Sequence, residues 1–314
     1  MIVKEGIFRD LLRLFVWFPL RWLIIILPVY WGIIILQAMG DIHYKFSKGK
    51  RKLLEENLFL LLGDVKDTKV SYVIREYFRN HYIDRLLIFI FPKFGIREIE
   101  KFVEIVGLEY LNESLEDGKG VILIHGHFGP VHLPLVVLAR LGYKMKQIGL
   151  PSEEGLSYIG RNVAFKLRMK YEGKMPAEII KADSFLRGAF KWLNSNGIIM
   201  ITGDGSGTER RMGRHEIFKF FNQKFLFPLG PATLAKKTGA KLLPIFITPA
   251  ENGYLYRIII ERPLISNIEC EDWVLSITGQ FAKLLESYIS EYPWYMHFLD
   301  KFRVGRLIVN EHIK

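Results

Sequence analysis

Gly120-Val-Ile-Leu-Ile-His125-Gly-His-Phe-Gly-Pro-Val-His132 carries the first reading of the fold. Val121 to Ile124 are four consecutive apolar residues, three of them β-branched, with glycines on either side. A strand buried on both faces looks like this. The chain then turns at once, because Gly126 and Gly129 permit a tight bend and Pro130 suits the first turn of a helix. The pattern predicts a helix from His132 to Leu141 running away from the strand. His125, His127 and His132 therefore gather at the carboxyl end of a strand, the edge where open α/β sheets bind ligands.

Outward from that point, strands and helices alternate. Phe102–Val106, Lys144–Gly149, Ile198–Thr202, Lys241–Thr248 and Tyr254–Ile260 read as strands. Helical patterns cover Arg51–Leu62, Val70–Phe91, Leu108–Glu116, Leu156–Met169, Ser184–Asn194, Pro231–Thr238 and Asp272–Ser290. Such alternation predicts an α/β fold with a mostly parallel central sheet flanked by helices. No linker splits it, so residues 46–314 are expected to form one domain.

Composition bounds the function. Half of the 314 residues are hydrophobic, which provides for a sizeable core and argues against general disorder. The net charge of +11 favours an anionic partner: nucleic acid, acidic headgroups, a coenzyme phosphate or an acidic carrier protein. Nucleic acid has only the charge in its favour, since no recognised binding motif accompanies it. A single cysteine, Cys270, excludes an intrachain disulfide and any thiolate metal site.

The amino terminus points to a membrane. Trp22 to Met39 are 18 residues without a charge, a helix of roughly 27 Å against a hydrocarbon core of about 30 Å. Trp17, Trp22, Tyr30 and Trp31 fit an interfacial aromatic belt. A buried core helix is the alternative, because Pro28 interrupts the run. Residues 1–45 are thus expected to be a membrane-anchor helix with its basic flank, on an anionic membrane surface. The cluster Lys45, Lys48, Lys50, Arg51 and Lys52 places the globular part on the cytoplasmic side of the inner membrane.

The histidine turn supplies the chemistry. His127 and His132 stand at the mouth of the predicted helix and one turn in, so their rings are expected to meet. An imidazole titrating near neutrality can take a proton from a hydroxyl during acyl transfer. The nearby glycines and the first N–H groups of the helix are expected to stabilise the oxyanion.

Gly126-His-Phe-Gly-Pro-Val-His132 resembles the Gly-His-Phe-Gly-Asn-Trp-Glu signature of the bacterial late acyltransferases of lipid A synthesis, the lauroyl and myristoyl acyltransferase family. Gly118-Lys-Gly-Val-Ile-Leu123 ahead of the turn, Phe220 to Ala240 and Tyr292-Pro-Trp-Tyr-Met-His297 are similar to other blocks of that family, and the similarity covers almost the whole chain. The resemblance implies a glycerolphosphate-acyltransferase-like fold and transfer of a fatty acyl group to a glycolipid hydroxyl. The donor would be an acyl thioester of acyl carrier protein or coenzyme A, a substrate rather than a resident cofactor. A His-x4-Asp/Glu dyad carries the chemistry in that family, and His127 occupies the position of its histidine.

One departure matters: His132 stands where the family has a carboxylate. A neutral imidazole accepts the same hydrogen bond but brings no negative charge. The expectation is that His127 acts as base, that His132 orients it, and that Asp204 or Glu209 supplies the missing charge from Thr202-Gly-Asp-Gly-Ser-Gly207. His125 and Gly129 are expected to line the substrate site. Arg210, Arg211 and Arg214, with Arg161 and Arg168 on a preceding helix, suit a phosphate of the lipid or coenzyme. Two rival readings are a lipid-binding relative with impaired catalysis and a metal-dependent hydrolase using His125-x-His127.

Overall fold

The computed structural model describes residues 6–63, 67–149, 153–181, 187–204, 213–267, 271–303 and 307–309. Five helices come first: α1 (Ile7–Phe15), α2 (Arg21–Ile26), α3 (Val29–Phe46), α4 (Lys48–Leu62) and α5 (Asp67–Leu86). Then follow α6 (Ile96–Phe102), β1 (Val103–Val106), α7 (Leu108–Glu116), β2 (Val121–His125), α8 (His132–Arg140) and β3 (Met145–Gly149). Next are α9 (Lys166–Glu172), β4 (Glu178–Lys181), α10 (Arg187–Asn194), β5 (Ile198–Thr202), β6 (His215–Phe220) and β7 (Gln223–Pro228). The last are α11 (Gly230–Thr238), β8 (Lys241–Pro249), β9 (Tyr256–Ile260) and α12 (Glu271–Glu291).

Seven strands form the central sheet in the order β1-β9-β8-β2-β5-β3-β4. All neighbours are parallel except β8 and β9, so the expected mostly parallel sheet is present. Every residue of β2 is buried, and they divide by alternation. Val121 and Leu123 pack with Leu133, Val136 and Val137 of α8 and with the amino-terminal helices. Ile122 and Ile124 pack with Leu193 of α10, Leu234 of α11 and Phe281 of α12 on the opposite face. Helices on both faces leave no polar side for such a strand, which is why the run shows no alternation in hydropathy.

The amino terminus differs from the expected single anchor helix. Trp22 to Met39 is split between α2 and α3 at Leu27, which is extended (φ −71°, ψ 152°) ahead of Pro28. Proline disfavours helical geometry in the residue before it and offers no N–H to carry the ladder through. The Lys93 ammonium donates to the carbonyl oxygens of Ile24 (2.8 Å) and Leu27, capping the broken end. Helix α3 then buries Val29, Ile33, Leu36 and Gly40. At Gly40 a Cβ would lie 2.5 Å from Arg79 Cα, so α3 and α5 touch backbone to backbone. Asp41 locks the crossing by accepting from both Arg75 and Arg79 at 2.7–2.9 Å. Hydrogen bonds from Arg75 and then Arg79 hold its carboxyl well below the usual carboxylate range. Among the described residues no helix is long and apolar enough to cross a membrane.

Helix α6, strand β4 and the hairpin β6–β7 escape the sequence reading. The short edge strand β4 lies between two helical stretches with little patterning of its own. The hairpin β6–β7 closes through Phe221 and Asn222, both at positive φ (49° and 57°). A two-residue hairpin turn with both centres at positive φ matches strand twist, and its usual signature is Asn-Gly rather than Phe-Asn.

Candidate active site

Strand register brings the central pair of side chains together. β2 and β5 are parallel neighbours with His125 opposite Thr202, so both strands end level at the same edge. The Gly203 N–H donates to the His125 carbonyl oxygen at 2.8 Å and carries the pairing one step further. His127 and Asp204 each lie two residues beyond the paired ends, and therefore face each other. Glycines make room for both loops against α12. A Cβ on Gly126 would lie 2.7 Å from Leu285 Cδ1, and one on Gly203 would lie 2.7 Å from Phe281 Cε1.

The contact is two-pronged. His127 Nδ1–H donates to Asp204 Oδ1 and the His127 backbone N–H donates to Asp204 Oδ2, both at 2.7 Å. A carboxylate accepts only, so Nδ1 carries the proton and the ring's lone pair lies on Nε2. Asp204 is buried while the His127 side chain is 27% exposed, which puts the charge beneath and the base above. Burial opposes charging of the His127 ring, but the Asp204 carboxylate and its hydrogen bond outweigh it and raise the pKa above the ordinary histidine value.

His132 does not orient His127. Its Nδ1–H donates to Gln147 Oε1 at 3.0 Å, on β3, two strands away from β2. Helix α8 starts at His132, and this bond ties its first side chain to β3. Burial lowers the His132 pKa, against the pull of Asp84 and Glu172.

His125 also departs from expectation as a substrate contact. It is buried beneath the turn, its Nδ1–H donates to the Gly126 carbonyl oxygen at 2.9 Å, and its Nε2 has no hydrogen-bond partner among the described residues. Burial pushes its pKa down to about 4, so the ring is neutral. Gly129 is structural as well. At φ +64° it occupies the left-handed region, its N–H donates to Tyr295 O (2.9 Å), and its own carbonyl accepts from His297 Nε2 (2.5 Å). Both of its backbone groups are thereby committed within the chain.

Three amides of the turn are engaged within the chain. His127 N–H goes to Asp204, Gly129 N–H to Tyr295 and Val131 N–H to Asp84 Oδ1 at 3.3 Å.

The described arginines of the expected phosphate site belong to separate elements. Arg161 is exposed on the helical turn Gly160–Phe165, and Arg168 donates to Glu172 at 2.6 Å. Arg214 is exposed and lies 3.7 Å from Glu216. Glu209, Arg210 and Arg211 lie outside the described residues. A cavity of about 540 Å³ opens between α9 and β4, lined by Met169, Met175 and Ile179, and none of the three histidines borders it. Among the described residues no group of three or more His, Cys, Asp or Glu side chains is arranged to hold a metal.

Sequence reasoning about the site missed the carboxyl-terminal segment. Phe128 pairs with Met296, and the His297 N–H donates to the His127 carbonyl oxygen at 3.0 Å. The Phe298 ring lies 5.0 Å from the His127 ring. The only available signal was the block Tyr292 to His297, similar to a family segment but silent on what it touches.

Comparison with known families agrees with the resemblance read from the turn. The family model described as bacterial lipid A biosynthesis acyltransferase matches residues 7–304. No curated protein matches the chain.

Proposed function

The chain belongs to the bacterial lipid A biosynthesis acyltransferase family, and we propose that it moves a fatty acyl group from a thioester to a hydroxyl of a membrane lipid or glycolipid, with His127 as general base. The observation that carries this reading is the pairing of His127 Nδ1 with Asp204 at 2.7 Å. Nε2 takes the proton of the acceptor hydroxyl as its oxygen attacks the thioester carbonyl. The tetrahedral intermediate collapses with cleavage of the C–S bond, and the imidazolium returns its proton to the departing thiolate. Asp204 holds the ring in the required tautomer, the part expected in sequence of His132, and offsets its transient positive charge, the part expected of Asp204 or Glu209. The donor is an acyl carrier protein or coenzyme A thioester, and the scheme uses no metal or resident cofactor.

The same reading places the protein on the cytoplasmic face of the inner membrane, lying on the bilayer rather than crossing it. Ile7, Phe8, Leu11, Leu12, Phe15, Phe18, Trp22 and Ile26 are exposed and recur at helical spacing from α1 into α2. On its other side α1 is fixed to the body through Asp10, Arg13 and Ser157. An apolar stripe with Arg9 beside it suits the interface of an anionic bilayer. Replacing Phe8 and Leu12 together with glutamate should cut partitioning onto anionic vesicles roughly 100-fold, from about 1.5 kcal/mol of lost burial for each side chain. Unchanged flotation with vesicles would remove this part of the reading.

The test of the reaction is mass spectrometry of lipid acceptors incubated with purified protein and an acyl thioester. One added acyl chain per thiol released supports transfer; thiol release without lipid acylation, or no turnover with either donor, overturns it. The rate should also rise with pH through the raised pKa of His127, because the protonated ring has no lone pair to offer. An acid limb at or below the ordinary histidine value would count against His127 as the base.

A further inference from the structure

The family motif carries its carboxylate at the position of His132, and the charge absent there reappears nearby in space. Asp84 lies on α5, two residues before the helix ends. Its Oδ1 accepts from the backbone N–H of Val131, the residue just before His132, at 3.3 Å. The same oxygen lies 3.7 Å from His297 Nε2. His297 in turn is bonded to both ends of the turn: its backbone N–H to the His127 carbonyl, its ring to the Gly129 carbonyl. Helix α5 fixes that segment at a second point, where Tyr77 Oη donates to the His297 carbonyl at 2.9 Å. The His127 and His297 rings are 6.2 Å apart.

We propose that Asp84 is a positioning residue of this site, supplying from α5 the negative charge that the family motif holds at residue 132 and steadying the His127 turn through Val131 and His297. This rests on the reading of His127 as the base. Asp204 and Asp84 then have separate tasks. Asp204 contacts the ring and sets its tautomer; Asp84 acts at longer range on the electrostatics and backbone of the turn. The charge of Asp84 favours the protonated forms of both His127 and His132. Among the described residues, the other groups acting on His127 include Asp204 from the loop after β5, Lys301 and His297 from the carboxyl-terminal segment, and His125 on its own strand.

Asp84→Asn is the informative variant, because an amide oxygen still accepts from Val131 N–H while the charge is gone. Two readouts separate the proposal from the function it rests on. The first is an NMR titration of the His127 ring in substrate-free protein, with the melting temperature checked alongside. The His127 pKa should fall relative to wild type, and an unchanged pKa overturns the proposal whatever the protein catalyses. The second is acyl transfer: kcat should fall about tenfold with KM little changed, the pattern of an interaction felt mainly in the transition state. Asp84→Glu keeps a carboxylate on α5 and should hold both the His127 pKa and kcat near wild type. An Asp84→Glu protein that melts as wild type does but loses as much of both as Asp84→Asn would reduce Asp84 to a cap on the Val131 amide and overturn the proposal. If neither wild type nor any variant acylates lipid, but the His127 pKa still falls in Asp84→Asn, the electrostatic placement stands and the acyltransfer reading fails.

Discussion

His127→Asn should lower kcat for lipid acylation by at least about 1,000-fold, the equivalent of roughly 4 kcal/mol of transition-state stabilisation. Asparagine retains an N–H near the place of Nδ1, so it can still donate to Asp204 Oδ1, now held at 2.7 Å. Its backbone N–H keeps the second prong to Oδ2. What disappears is Nε2, and with it the atom that accepts the hydroxyl proton. Because the ring is partly exposed rather than a core element, the fold should persist, and unfolding should shift little in denaturant. KM for the acyl thioester should change far less than kcat. Activity within tenfold of wild type would show that another group takes the proton and would remove His127 from the mechanism.

Much of the fold was legible for a simple reason. A strand sandwiched between helix layers is apolar along nearly its whole length, and the runs Val121–Ile124, Ile198–Ile201 and Leu242–Ile247 announce themselves that way. The turn after β2 was legible because glycines and a proline punctuate it. The glycines around Asp204 likewise gave a sequence reason to bring that residue near His127, and the level ends of β2 and β5 show how the approach is made. The orientation of His132 was not readable. The expected meeting of the two rings counted one helical turn from His127, but the intervening residues include Gly129 at φ +64°, and the helix begins only at His132. Counting helical spacing across a turn that is not helical gives the wrong face. Asp84 and His297 were beyond reach for another reason. They lie 43 residues before and 170 residues after His127, and only the packing of α5 and the final segment against the turn reveals them.

The amino terminus shows hydropathy alone misjudging architecture. Eighteen uncharged residues looked like a span, but residue type does not say which side of a helix meets protein. Gly32, Gly40 and Leu36 lie against the body, whereas Tyr30 and Trp31 remain exposed. With Pro28 dividing the run, the apolar surface becomes a stripe along several short helices instead of one long cylinder.

The second large effect should come from Asp204→Asn, with a loss in kcat of about 100- to 10,000-fold and a protein that still folds. Asparagine nearly matches aspartate in shape, so the clearance beside Gly126, whose Cβ would sit 3.3 Å from Asp204 Oδ2, is preserved. The change is one of hydrogen-bond polarity. An amide can accept from only one of the two donors that Asp204 now receives from His127. If its oxygen stays with the backbone N–H, its NH₂ group faces Nδ1, which must then become the acceptor. The ring proton moves to Nε2, and the nitrogen that should remove the hydroxyl proton is blocked. Loss of the carboxylate also removes the leading contribution that holds the His127 pKa up. Residual activity should therefore show its acid limb at lower pH than wild type, the direction expected when a negative neighbour is lost. His127→Asn offers the control, because combining the two should cost little more than either alone if they act as one unit. Full additivity, or Asp204→Asn activity within threefold of wild type, would mean that the pairing is a structural tie at the sheet edge and that the base is held in place by something else.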